Sequence, residues 1–212
     1  MELLKKSNGN LPRSEKEQDK MIREAAKHYG KFLTSLGFAW EEDDQTKDTP
    51  RRVAKAWIHD LIKGSITDPP KISTFPNDEK YDGIVVQTNI PVVSMCAHHN
   101  LAFTGHAHVA YIPGEVVIGL SKLNRIVEWF SRRPQMQESL TQQIHTFIDK
   151  VMEGNGGVAV SVECRHTCCS HRGIKHPSTM VTNKLSGAFI DNGDLSREEF
   201  FDAIKLAQKE RK

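Results

Sequence analysis

No apolar run in the 212 residues approaches the ~20 needed to cross a bilayer, so a membrane-spanning chain is not expected. No charge of one sign dominates either: 29 Lys and Arg stand against 27 Asp and Glu, a net charge of +2. A dedicated nucleic-acid binder carries a strong basic excess, so that class is set aside too. The opening MELLKKSNGNLPRSEKE lacks the apolar stretch of an export signal, which makes the cytoplasm the expected location. A reducing compartment in turn disfavours a disulfide framework built on the four cysteines. Several catalytic signatures are also missing. There is no His-Glu-x-x-His, no Cys-x-x-Cys and no His-x-Glu, which excludes the common zinc protease helix and the nucleobase-deaminase pattern. Neither a Walker loop nor Gly-x-Gly-x-x-Gly occurs, so any bound phosphate must be held by side chains rather than a glycine cradle.

What is present is a mixture of 38% hydrophobic and 26% charged residues, enough apolar content for a folded core. Residues 1–13 read as a flexible tail. Ser14-x-x-Glu17 is a capping box, followed by Met21, Ile22, Ala25, Tyr29, Phe32, Leu33 and Leu36 at helical spacing up to Gly37. Asp48-Thr49-Pro50 opens a second helix with an expected buried stripe of Val53, Trp57 and Leu61. The Pro- and Asp-containing stretch 65–82 reads as a linker, which gives an N-terminal helical region over 14–82 and a second domain over 83–212. From Ile84 to Ile112 the pattern becomes β-branched, with Phe103, Ala107, Val109 and Tyr111 on one face and Thr104, His106 and His108 on the other. Helices are expected from Ser121 and from Pro134, strands over 158–168 and 179–190, and a last helix from Ser196. Helices first, then strands interrupted by a helical pair, predict an α+β fold with a largely antiparallel sheet.

The soft ligands are crowded. All four cysteines and eight of the ten histidines lie between Cys96 and His176. In a reducing compartment such a cluster points to metal binding or catalysis. Cys96-Ala97-His98-His99 offers a Cys-x-x-His pair that one ion can span. On a regular strand Cys164 and Cys168 stand ~13 Å apart, too far to share a metal, so Cys164 is expected to be a small core residue. Cys96, His99 and Cys168 then give three soft ligands with a fourth position left for water, the pattern of catalytic zinc. The alternatives are a disulfide, or a closed structural zinc completed by Cys164 or Cys169. His98 and His166 are the nearby proton-transfer candidates. His28, His59 and His145 read as surface or capping residues, and His106 and His108 as polar-face residues.

Taken together, several ordered segments resemble GTP cyclohydrolase I of the zinc-dependent type. They are Asp48-Thr49-Pro50-Arg51-Arg52-Val53-Ala54-Lys55, Ser94-Met95-Cys96-Ala97-His98-His99, Ala110-Tyr111-Ile112-Pro113, Val117 to Val127, Arg133 to Ile144, and His166-Thr167-Cys168 followed by Arg172-Gly173-Ile174. The resemblance covers roughly residues 20–205. It implies the T-fold, an antiparallel sheet with two antiparallel helices on one face, here with an N-terminal helical arm over 14–82 and the T-fold catalytic domain over 83–212. It also implies a toroidal homodecamer with active sites at subunit interfaces. The implied reaction opens the imidazole ring of GTP, releasing formate and 7,8-dihydroneopterin triphosphate for folate, biopterin or deazaguanine synthesis.

The residue roles follow from the same resemblance. Cys96, His99 and Cys168 match zinc ligands, His166 the group that protonates N7, His98 the one serving ribose opening, and Ser121 the hydroxyl of the later rearrangement. Glu138, with Gln137 beside it, matches the guanine contact. Lys122, Arg125 and Arg172 match the triphosphate grip, with Arg52 and Lys55 added from another subunit. Without the resemblance Lys122 and Arg125 read as an ordinary solvated helix face. The family usually has Cys-Glu-His-His, whereas position 97 is alanine here, and Cys168-Cys169-Ser170-His171 is also unusual. The alternative function is an inactive T-fold protein that binds a nucleotide or pterin around a structural zinc.

Overall fold

The computed structural model describes residues 2–190 and 195–209, which form two compact units, one ending at Asp68 and one starting at Pro69.

In the first unit, α1 (Glu15–Ser35) begins with the expected reciprocal cap: Ser14 and Glu17 each satisfy the other's backbone N–H. It ends because Gly37 adopts φ +86°, which lets Gly37 N donate to Thr34 O at 2.9 Å and Phe38 N donate to Leu33 O at 3.1 Å. α2 (Thr49–Ala56) carries Pro50 in its first turn and runs into a π turn, Trp57–Leu61, before the short α3 (Lys63–Ile66). The core is Ile22, Ala54, Ile58 and Ile66, with Val53, Trp57 and Leu61 only half-buried. The buried stripe is thus displaced by one residue from the expected one. On α1, Phe32 and Leu36 are 53% and 57% exposed, and Phe38 just beyond is 60% exposed. The tail is tied down at its end: Leu11 N donates to Ser65 O at 2.7 Å, Arg13 N to Ile66 O at 2.8 Å, and the Asn10 amide to Gly64 O and Thr67 O.

In the second unit, the stretch read as a linker contains a strand, β1 (Thr74–Pro76), paired antiparallel with β4 (Val116–Ile118). Three residues are too few for period-two alternation to register in the sequence. The main sheet has the order β5 (Pro134–Gln135), β2 (Val85–Cys96), β3 (Ala102–Ile112), β6 (Gly157–His166), β7 (Thr179–Leu185). All pairings are antiparallel except the short β2–β5 contact. β5 replaces the first turn of the helix expected from Pro134. That helix, α5 (Gln137–Val151), starts three residues later.

One face of the sheet packs on α4 (Leu120–Ser131) and α5. Phe103, Ala107, Val109, Val160 and Val162 meet Leu123, Ile126, Leu140, Ile144 and Ile148 in a single buried core. Each fully buried aliphatic chain contributes roughly 2 kcal/mol. Gly105 lets β3 and β6 approach closely there, since a Cβ would lie 1.9 Å from Glu163 O. The opposite face is covered in part by α7 (Ser196–Lys209), whose Phe200 and Ile204 pack with Phe189 on Ala110 and Ala159. His108, expected on a polar face, is fully buried on this side, with its Nε2 3.7 Å from Glu163. This is an α+β architecture with an antiparallel sheet and two helices on one face. Among the described residues, no helix is long and apolar enough to cross a membrane.

Candidate active site

The β2–β3 hairpin closes over residues 97–101. Cys96 N donates to Leu101 O and Asn100 N to Cys96 O, both at 2.9 Å, while Asn100 takes φ +54°, a conformation asparagine tolerates. Cys96 therefore stays buried at the strand end, and His98 and His99 turn outward on the loop. Beside β3, strand β6 stops at His166 and the chain coils into one helical turn, α6 (Thr167–Ser170). Thr167 Oγ1 anchors that turn by donating to Ala102 O at 2.6 Å. The coil carries Cys168 off the line of the strand and toward the hairpin loop.

As a result the ligand atoms of Cys96, His99 and Cys168 all lie within 4.8 Å of one another. Two thiols and an imidazole at that spacing fit a zinc ion, whose bonds to sulfur are about 2.3 Å and to nitrogen about 2.0–2.1 Å. All four cysteines are free thiols. Burial, with the adjoining Cys96 and Cys169 thiols adding to it, pushes the Cys168 thiol up to about 11. A cation reverses that balance, because coordination takes the thiolate. Cys164 is sealed in the core at 1% exposure, and burial with the nearby Glu163 carboxylate pushes its thiol up to about 12. Neither Cys164 nor Cys169 belongs to the ligand group among the described residues.

Around the cluster, His98 Nδ1 sits 3.8 Å from Cys96 Sγ, and the Arg172 guanidinium donates to His99 Nε2 at 2.6 Å. His166 is half-buried and stacked on Phe103, with ring centroids 4.6 Å apart and planes 11° from parallel. Burial holds its pKa below the ordinary imidazole value, opposed by the neighbouring Glu138 carboxylate. Gln137 and Glu138 occupy the first turn of α5 but diverge. Glu138 is exposed at the helix N-terminus, where the macrodipole favours a carboxylate. Gln137 is 1% exposed, and its side chain is taken up by protein partners, including His166 at 2.9 Å. The side chain expected beside the guanine contact is thus held by the protein itself. Phe103, Thr141 and Thr182 complete this layer, and nothing in their sequence positions had marked the two threonines.

Ser121, Lys122 and Arg125 lie on the first turns of α4, with Ser121 and Arg125 exposed. Among the described residues, no side-chain hydrogen bond or ion pair joins them to the Cys/His cluster. Arg52 and Lys55 belong to the first unit, where with Asp48 and Arg51 they line a hollow of 110 Å³. Arg52 pairs there with Asp48 at 3.3 Å.

Comparison with known proteins gives the family. The family model described as GTP cyclohydrolase I matches residues 25–205. A protein of Flavobacterium johnsoniae named GTP cyclohydrolase 1 is 43% identical over 190 residues, covering 89% of this chain and 83% of its own. Proteins of the same name from Yersinia enterocolitica and Serratia proteamaculans are each 40% identical, covering 77% and 78% of this chain and 74% and 75% of theirs. With a Cys/His cluster flanked by a stacked histidine and an exposed carboxylate, and with a family match over most of its length, the chain belongs to the GTP cyclohydrolase I family.

Proposed function

We propose that the chain hydrolyses GTP at the guanine imidazole ring, giving formate and 7,8-dihydroneopterin triphosphate. The observation that carries this reading is the Cys96, His99 and Cys168 triplet set beside His166 and Glu138. Cys96, His99 and Cys168 would hold a zinc ion, which would supply Lewis-acid activation of water for the hydrolysis. The exposed Glu138 carboxylate suits the guanine N1–H and 2-amino group, two donors facing one bidentate acceptor. His166 holds a proton for N7, which makes C8 electrophilic. Burial holds its pKa below the ordinary imidazole value, so a proton it carries is readily released. His98 serves ribose opening, and Ser121 the rearrangement that closes the new ring.

The triphosphate needs cations, and the sequence lacks a glycine cradle to replace them. Lys122, Arg125 and Arg172 are assigned to it, with Arg52 and Lys55 supplied by a second copy of the chain. Exposed Phe32, Leu36 and Phe38 support assembly of copies, and the ring-shaped decamer with shared sites is the assembly proposed. A nucleotide substrate suits an enzyme of the cytoplasm.

Zinc-loaded protein incubated with GTP, then oxidised, is expected to yield fluorescent neopterin and one formate per GTP consumed. Nucleotide binding without formate release would overturn the assignment in favour of a binding protein.

A further inference from the structure

Gln137 was expected to touch guanine, yet it is nearly sealed from solvent at 1% exposure. Its amide nitrogen lies 2.9 Å from Val162 O, 3.1 Å from Met180 O and 3.1 Å from Thr182 Oγ1. Backbone carbonyls can only accept, so this end of the side chain must be the NH2 group. The opposite end is therefore the carbonyl oxygen, and it lies 2.9 Å from His166 Nε2. An amide oxygen can only accept as well, so His166 Nε2 must carry a hydrogen. Thr182 Oγ1 is itself held 2.6 Å from Thr141 Oγ1, and Thr141 Oγ1 donates to the Gln137 backbone carbonyl at 3.0 Å. Phe103 stacked on the imidazole resists rotation of the ring about its own axis.

We propose that Gln137 is a positioning residue that locks His166 in the Nε2–H tautomer, leaving Nδ1 as the atom that exchanges a proton with substrate. A neutral imidazole has one N–H and one lone pair, so fixing Nε2–H places the lone pair on Nδ1. The lone pair offered to substrate thus stands at one defined place, held there by the Nε2–H bond to Gln137. Two carbonyl oxygens on different strands, β6 and β7, decide this through a single amide that cannot flip without setting oxygen against oxygen. The proposal rests on the GTP hydrolysis assigned above, since only that reaction gives His166 a substrate.

The test uses the zinc-loaded full-length protein. Magic-angle-spinning 15N spectra of histidine-labelled protein report the tautomer directly, with the His166 signals identified by their loss in His166→Gln. Nε2 is expected at the N–H position and Nδ1 at the lone-pair position. Gln137→Met removes the acceptor at similar volume. Its kcat is expected to fall on the order of 100-fold, with KM for GTP changed less than about threefold and zinc content unchanged. A hydrogen on Nδ1 and none on Nε2 in the neutral wild-type imidazole would overturn the proposal. So would a Gln137→Met variant that raises KM at constant kcat, which would restore Gln137 to the role of substrate contact. If the wild type makes no neopterin, the assigned reaction fails on its own. The 15N spectrum of the resting protein still decides the tautomer.

Discussion

Four thiols of one chemistry are divided by position alone. Cys164 sits at 1% exposure among valines and aromatic rings, whereas Cys168, four residues on, faces Cys96 and His99 across a loop. Replacing either by serine exchanges sulfur for oxygen, with opposite consequences. Cys168→Ser is expected to lose most bound zinc while its thermal midpoint changes little in chelator. Cys164→Ser is expected to keep its zinc and lose roughly 1–3 kcal/mol of stability, because it buries a hydroxyl in an apolar site. Metal content by mass spectrometry and unfolding midpoints in chelator separate the two. Equal zinc in both variants would remove Cys168 from the ligand set.

At the scale of elements, the sequence showed parity well and direction poorly. The alternation of Val158, Val160, Val162 and Cys164 identified the core face of β6, because period two is a local property of the strand. The place where β6 stops is not local. It is fixed by Thr167 reaching Ala102 O on the neighbouring strand, 65 residues away in sequence, and that stop is what brings Cys168 to the hairpin. The inward turn of Gln137 was hidden for a related reason. Adjacent helical residues project about 100° apart, so its neighbour Glu138 faces solvent while Gln137 turns into the sheet, toward partners on β6 and β7.

The same α5 that carries this pair also joins β7 through His145. His145 Nε2 lies 3.0 Å from Ser186 Oγ just past the strand, and burial, opposed by the Asp149 carboxylate one turn on, holds its pKa below the ordinary value. The neutral ring is the form the fold prefers. Its contribution is therefore fully present above the unfolded value of about 6.5 and is lost as pH falls through the lower folded value. Urea midpoints are expected to drop more between pH 7 and pH 5 in the wild type than in His145→Gln, whose amide can still reach Ser186. An equal or larger drop in the variant would place the charging of His145 outside the acid response.

The whole molecule presents two sets of exposed groups in one copy. Phe32, Leu36 and Phe38 present apolar surface, and Arg52 and Lys55 present cations, all in the first unit. If a neighbouring copy completes each site, two inactive chains can repair each other. Arg52→Ala combined with Lys55→Ala removes the cations assigned to the neighbour's triphosphate. Each lost charge-assisted contact costs about 1.5–3 kcal/mol, so KM for GTP is expected to rise tenfold or more. His166→Gln removes proton transfer in the chain that holds the metal cluster. Neither variant alone should turn over GTP at low substrate. When the two are dissociated, mixed in equal amounts and reassembled, a site is intact wherever the first variant supplies His166 and the second supplies Arg52 and Lys55. Random assembly makes that roughly a quarter of all sites. Neopterin formation should recover to about that fraction of wild type at low GTP. Activity that stays at the level of the separate variants, with mixed assembly confirmed by mass, would mean that each chain binds its triphosphate with its own residues.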